Sequence, residues 1–451
     1  MYARWLKSHV NVVEHTTPAT LPVRHGVLPP GVRGTLYRNG PGVFVEHDGT
    51  PLSDVLDGDG VVVRFHFNGA SVTMTSRRVE TAQRAHERAR GRRLYSGAFG
   101  SAPHGRPLKN PANTNILRWG DALLALCECG PPHVLDPDTL ETRGVLPPFA
   151  HGLPVTTGCD HLDAALLSAG VAGHAVCAHP KVVGDALVLY ALRYAVGHTE
   201  VTFYELNTAL RVTRSRRVRL PGFAYFHDFM VTDTHYAFYH HALRLELSQA
   251  LQHGIVKSMA SDSGGRGPAT VLHAVPRGAG AHRTVHAPSG FITHHALVSQ
   301  DERALRSVSV VYPEPFRMDV RRMMHAGQLH ETVWDFKRNT VTRTRVTDAA
   351  VEFPCSDGNG VVYGVVGNSL ARVNTTTSPS TVQRWDVGPG SFFGEPVLVG
   401  GGHVAATLFD SDAMESTLLL FDTRSISSGP VAELLLPCVL PVGLHGSFAP
   451  S

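Results

Sequence analysis

Apolar positions along the chain fall in short runs broken by turn-forming residues. DALLALCE (121–128), DALVLYALRY (185–194), EVTFYEL (200–206), HYAFYHH (235–241), SVSVVYP (307–313), GVVYGVVG (360–367), HVAATLF (403–409) and STLLLFDT (416–423) all have strand length. The spacers between them are rich in Gly, Pro, Asp, Asn and Thr. The stretch NTNILRWGDALLALCECGPPHVLDPDTLETRG (113–144) reads as strand, WGD turn, strand, GPP break, strand, DPDT turn. The same logic returns in residues 363–386 and 417–437 without any shared word, so the repeat is one of structure. Two stretches lean helical: residues 242–259, with a spread of Leu, and residues 300–306. The first reads as a loop cover or as a patch facing a membrane surface. Many strands, few helices and no alternation of strand and helix predict an all-β fold. At 451 residues a propeller fits better than a sandwich.

Composition narrows the function classes. Apolar residues make up 43% and charged residues 18%, which supplies a core and carries no disorder signature. The net charge is +3, and the most basic stretch, Arg84 to Arg93, is short and reads as a solvated loop. No nucleic-acid role is expected, because that wants a broad basic face with interleaved aromatics. The six cysteines (Cys127, Cys129, Cys159, Cys177, Cys355, Cys438) form no CxxC pair and read as reduced thiols. The opening MYARWLKSHVNVVEHTTP lacks the apolar core of a signal peptide, and no apolar run reaches membrane-spanning length. The expectation is a cytoplasmic monomer, at most peripheral to a membrane. No phosphate-binding GxxxxGK[ST] loop and no GxSxG elbow are present. DGDG (57–60) reads as a tight turn, since the later ligands of a calcium loop are missing.

Four histidines stand out by context: His179 in CAHPKV, His227 in YFHDFMVT, His294 in FITHHALV and His445 in GLHGSF. Their gaps of 48, 67 and 151 residues are too wide for a local metal motif. They make sense if each comes from a different blade and all point at one axis. Imidazole suits Zn, Cu, Fe and Ni, and four neutral ligands would leave positions open on an octahedral ion. With 27 histidines in the chain, each of the four taken singly is also compatible with an ordinary buried or exposed role.

The wording around them resembles the carotenoid cleavage oxygenase family, which includes retinal-pigment isomerohydrolases and stilbene cleavers. GTLYRNGPG (34–42) and LDGDGVVVRFHF (56–67) are similar to its N-terminal signatures. AHPKV, HDFMVT, the F-x-x-H-H stretch and G-x-H-G are similar to the settings of its four iron ligands, in order. The resemblance spans about Leu28 to Gly446. It implies a single seven-bladed β-propeller domain over 1–451, with 1–27 as an N-terminal extension and loops and short helices covering one face. It also implies Fe(II) held by His179, His227, His294 and His445, with Glu128, Glu352 and Glu395 accepting the far N–H of three of them. His179 has no such partner in the family pattern. No catalytic residue beyond the metal centre is implied.

The sequence departs from the family in places. Leu297 stands where Asn is usual after the third ligand; Phe291, three residues before, assigns that ligand to His294 with His295 as fallback. Stilbene cleavers carry Lys before the first Glu and Tyr in the preceding loop, whereas Cys127 stands before Glu128 and the loop at 94–101 offers Ala98 or Phe99. Both departures favour an apolar polyene over a phenol. The implied reaction is cleavage of one carbon–carbon double bond of a carotenoid or apocarotenoid by O2, giving two carbonyl products. The alternatives are a stilbene-cleaving dioxygenase or isomerase of the same fold, or a catalytically silent propeller that only binds. Phe229, Phe291, Phe392 and Phe393 flank the motifs and are candidates to line a tunnel.

Overall fold

The computed structural model describes every residue except 1, 46–47, 102–105, 150–174, 196, 247–248, 250–255, 262–268 and 314–325. The strands assemble into a seven-bladed β-propeller. Blade 1 draws on both ends of the chain. From rim to centre it runs His15–Thr20, Val72–Arg78, Asp59–Asn68, Arg33–Val43 and His445–Pro450. Blades 2 to 6 each start at the centre and step outward. Their first strands are Asn115–Trp119, then Ala175–Val176 with Lys181–Val183, then Met230–Val231, Phe291–Gln300 and Glu352–Ser356. Blade 7 starts with Ser391–Phe393 and Val397–Leu398, continues through His403–Asp410, Glu415–Asp422 and Ala432–Leu435, and ends on Val23–Gly26. Residues 15–26 of the expected extension thus supply the outermost strands of two adjoining blades.

Local chemistry explains the strand ends. Gly120 turns the first hairpin of blade 2 at φ +57, and a Cβ there would lie 2.6 Å from the Thr208 carbonyl. In the DPDT turn the Asp136 carboxylate accepts from the Asp138 and Thr139 amides at 2.9 and 2.8 Å. The middle strands are packed by blades on both faces and are richest in apolar residues; Ala122–Leu126 is wholly buried. The rim strands alternate or lie open, as in Val212–Pro221 and Thr340–Ala350.

The core lies between blades. Tyr37, Val62 and Val79 of blade 1 meet Ile116, Leu123 and Leu135 of blade 2. Phe203 of blade 3 stacks on Tyr236 of blade 4, with centroids 4.5 Å apart and planes 4° from parallel. Truncating either ring to alanine is expected to cost about 3–5 kcal/mol.

Three sequence expectations change. The basic stretch from Arg84 is no loop: Ala82–Arg90 is a helix capped by the Thr81 hydroxyl and ended by Gly91. Its Arg84 and Glu87 are buried because distant partners neutralise them. Arg84 pairs with Asp59 at 3.1 Å, and Lys109 bridges Asp59 and Glu87 at 2.6 Å each. Residues 300–306 are a strand turn, because the Asp301 carboxylate captures the Arg303 and Ala304 amides at 2.7 Å and starts the next strand. The ends of 242–259 form the strands Leu243–Leu245 and Met259–Ser261, which pair with each other; the middle of that stretch lies outside the described residues. Cys159 also lies outside them, and the other five cysteines are free. No helix among the described residues is long and apolar enough to cross a membrane.

Candidate metal centre and its cavity

The four histidines converge on the propeller axis. His179 lies in the turn before Lys181–Val183 of blade 3, and His227 lies just ahead of Met230–Val231 of blade 4. His294 belongs to the first strand of blade 5, and His445 opens the innermost strand of blade 1. One ring nitrogen from each lies within 4.8 Å of all the others. The rings meet edge to face, with centroids 4.5 Å apart for His179–His227 and His179–His445 and 5.0 Å for His294–His445. A bulge re-aims the third: the pairing of Phe291–Gln300 with its neighbour slips on both sides of His294 and His295. His295 therefore points elsewhere, its Nδ1 2.7 Å from the Ser309 hydroxyl, and is not in the cluster. Leu297 packs against the core between blades.

Gly446 is needed for the last approach, since a Cβ there would meet the Tyr37 carbonyl at 2.6 Å. Gly443 has no such need: its Cβ would stand 3.4 Å from the Asn39 carbonyl, near ordinary contact.

Three carboxylates from the remaining blades reach the histidines from behind. Glu128 follows the second strand of blade 2, Glu352 opens blade 6, and Glu395 lies between the two inner strands of blade 7. Each of the seven blades thus gives one residue. His227 Nδ1 lies 2.5 Å from Glu128, His294 Nδ1 3.0 Å from Glu352, and His445 Nδ1 2.8 Å from Glu395. A carboxylate at Nδ1 fixes the proton there and leaves Nε2 as a lone pair facing the axis.

The carboxylates are held in turn. Glu352 accepts from the Tyr312 hydroxyl, the Thr293 hydroxyl and the Phe353 amide. Phe353 itself sits at φ +50, costly for a bulky residue, with its ring 5.6 Å from that of His445. Glu395 accepts from the Gly446 amide at 2.7 Å, and the buried Arg38 lies 3.6 Å from it while donating to its backbone carbonyl.

Burial dominates the electrostatics. It pushes His179 well below the ordinary imidazole range, aided by its three histidine neighbours. His445 is also lowered by burial, less so because Glu395 opposes it. For His227 burial again acts downward, but the adjacent Glu128 charge wins and the group is raised. Burial alone would raise Glu128 and Glu352; their histidine partners hold both below the usual carboxylate range.

His179 has no carboxylate partner among the described residues. Two residues on, Lys181 pairs with Asp228 at 2.7 Å, and the other oxygen of Asp228 accepts the His295 amide at 2.9 Å. This brace joins the neighbours of three cluster histidines and was not read from sequence. Tyr312 and Arg38 were missed too. Asp228 and Lys181 stood beside two of the histidines, but nothing in the sequence joins HD to PK across 47 residues.

The donor set fits a cation. Nε2 of His179 and of His227 face each other at 3.0 Å, a repulsive arrangement for two lone pairs unless a proton or metal lies between. Nε2 of His294 is buried with no partner among the described residues. Four imidazole nitrogens with carboxylates behind them suit Fe, Zn, Cu or Ni.

A cavity of about 440 Å³ opens onto the cluster and is lined by His227, His294 and His445 but not His179. Of the four phenylalanines expected at a tunnel, Phe392 and Phe393 line it; Phe229 and Phe291 are buried in the core between blades. Cys127, Ala98 and Phe99 line it as well. The lone lysine among the described lining residues, Lys109, is spent on Asp59 and Glu87.

The Retinal pigment epithelial membrane protein family matches residues 10–450. The apocarotenoid-15,15'-oxygenase of Synechocystis sp. is 29% identical over 479 residues, covering 94% of this chain and 92% of the relative. The isoeugenol monooxygenase of Pseudomonas nitroreducens is 26% identical over 476 residues, covering 94% and 93%. Among solved structures, the cobalt-substituted Synechocystis ACO superposes with a TM-score of 0.87 at 26% identity, covering 100% of this chain and 99% of that one.

Proposed function

The chain belongs to the Retinal pigment epithelial membrane protein family, that of the carotenoid cleavage oxygenases, and from this premise we propose that it is an Fe(II) dioxygenase that cleaves one double bond of a carotenoid or apocarotenoid. That it is an oxygenase follows from its relatives, matched over three quarters or more of their length. The finer reading rests on one observation above the others: four imidazole nitrogens aimed at one point, three of them backed by carboxylates.

His179, His227, His294 and His445 would hold the metal. Bound iron supplies the redox chemistry with O2 that no side chain here offers. One alkene and one O2 balance two carbonyl products, so no outside reductant is required. The rest is positioning. Glu128, Glu352 and Glu395 keep three imidazoles in the tautomer that presents Nε2. Phe353, Phe392 and Phe393 give an apolar wall beside His294 and His445, which holds a polyene and keeps water away. No free ammonium among the described lining residues would grip a phenolate, which favours the polyene over a stilbene.

The test is metal analysis of protein reconstituted with Fe(II) under argon, then chromatography of products formed in air. The panel would hold β-carotene, several apocarotenals and a hydroxystilbene. One equivalent of iron and shortened apocarotenoid aldehydes are expected. Aromatic aldehydes from the stilbene alone would overturn the substrate class. Iron well below one equivalent would leave a propeller that only binds.

A further inference from the structure

The cavity lining draws on two unlike groups. Trp5, Phe392 and Val442 share a small apolar cluster. Phe99, Phe223, Val256 and Met259 belong to the core between blades and are joined by two phenols, Tyr194 and Tyr225. Tyr194 lies near the end of the long second strand of blade 3, Ala186–Ala195, and stacks on Phe223 at 5.2 Å and 20°. Tyr225 lies two residues before His227 and is parallel to Phe291 at 6.3 Å and 3°. Both rings are thus fixed by aromatic neighbours.

Their hydroxyls are different. Buried tyrosine hydroxyls ordinarily find a partner. Tyr37, Tyr190 and Tyr236 of this chain do so, donating to Pro137, Phe226 and Glu205. Tyr312 of the same cavity donates to Glu352. No described residue gives Tyr194 or Tyr225 a hydrogen bond, and both face the cavity. A phenol is neutral at ordinary pH and its hydroxyl can donate. Two fixed, neutral donors facing a mostly apolar space favour a ligand oxygen and penalise a ligand that buries them without one.

We propose that Tyr194 and Tyr225 are specificity residues that take the oxygen of one end group, a hydroxyl or a carbonyl, of an otherwise apolar alkene. The ligand enters with this end between the phenols and its apolar end toward Trp5 and Phe392. Its central bonds then lie beside His227, His294 and His445. The inference deepens the oxygenase reading and rests on it for the alkene, but the grip itself is tested by binding alone.

Two matched pairs serve as probes: retinol against the hydrocarbon with a methyl in place of its hydroxymethyl group, and 4-hydroxybibenzyl against bibenzyl. Each is titrated into the metal-loaded full chain under argon, with quenching of tryptophan fluorescence as the signal; Trp5 lines the cavity. The oxygenated member of at least one pair should bind about 10-fold tighter, the worth of one good hydrogen bond. Which pair shows it tells a polyene end from a phenolic ring. Tyr194→Phe and Tyr225→Phe should each shrink that preference about threefold, and the double variant should erase it while the deoxygenated probe binds as before. Equal binding within both pairs by the unaltered chain would overturn the grip, whatever the variants do. A preference that survives the double variant would overturn it as well. Failure of the oxygenase reading shows separately, as absence of cleaved product from iron-loaded protein in air.

Discussion

His445 and His179 are neighbours in the same cluster, with ring centroids 4.5 Å apart, and are held by unlike means. His445 leans on Glu395, which Gly446 and Arg38 hold in place, and its ring faces the cavity. His179 has no carboxylate partner among the described residues, does not line the cavity, and is placed by the turn before Lys181, whose ammonium is tied to Asp228. The first arrangement buries a charge and needs its partner. The second buries a neutral ring and needs only position. A buried carboxylate makes a histidine a better ligand and makes its loss costlier.

Removing each histidine is the sharpest way to break this contrast. His445→Ala should abolish iron binding and strand the Glu395 carboxylate, lowering the stability of the metal-free protein by about 3 kcal/mol. Hydrogen exchange should quicken along His445–Pro450. Full iron occupancy in this variant would remove His445 from the ligand set. His179→Ala should lose iron as well, but urea unfolding of its metal-free form should move by only about 1 kcal/mol, since no charge loses a partner. Equal destabilisation by the two substitutions would sink the comparison.

Glu352→Gln keeps an acceptor for His294 and removes the charge. Turnover should fall about 10-fold or more with little change in melting temperature. Unchanged turnover would show that the carboxylate does not act through His294.

The smallest effect concerns buried histidines outside the cluster that likewise have no carboxylate partner among the described residues. Burial lowers His133 to about 4 and His241 to about 3. Folded, they stay neutral where the unfolded chain takes up protons below pH 6.5. Their stability is therefore whole above pH 6.5 and is lost as pH falls toward those values. Each should cost about 1 kcal/mol between pH 6.5 and 5.5. His133→Phe should flatten the measured stability–pH slope over that window by one titrating group; an unchanged slope would mean that His133 is already charged in the fold.

What the sequence disclosed follows from the reach of each signal. Blade strands are local and apolar, so ALLAL and TLLLF announced themselves. The four histidines and three glutamates were legible because their neighbouring words are. The helix Ala82–Arg90 was hidden, because its buried Arg84 and Glu87 read as surface charge until Asp59 and Lys109 arrive from elsewhere in the chain. Tyr312 read as one more strand aromatic; only the packing of blade 5 against blade 6 reveals its hydroxyl on Glu352. Residues 300–306 misled because a capturing aspartate and a helical run share the same letters over so short a span.

The pairing of Arg33–Val43 with His445–Pro450 also sets a timetable. Asn39 and His445 are partners in that ladder, yet at about 5–20 residues per second synthesis separates them by some 20–80 s. Through that interval Arg33–Val43, buried along most of its length, has an unpaired edge open to any stray strand. The ring can close only after the interval ends, and the histidine cluster is complete only then. Metal uptake is thus expected to be the slowest folding event, and the rate of iron loading after synthesis would clock the closing of the ring.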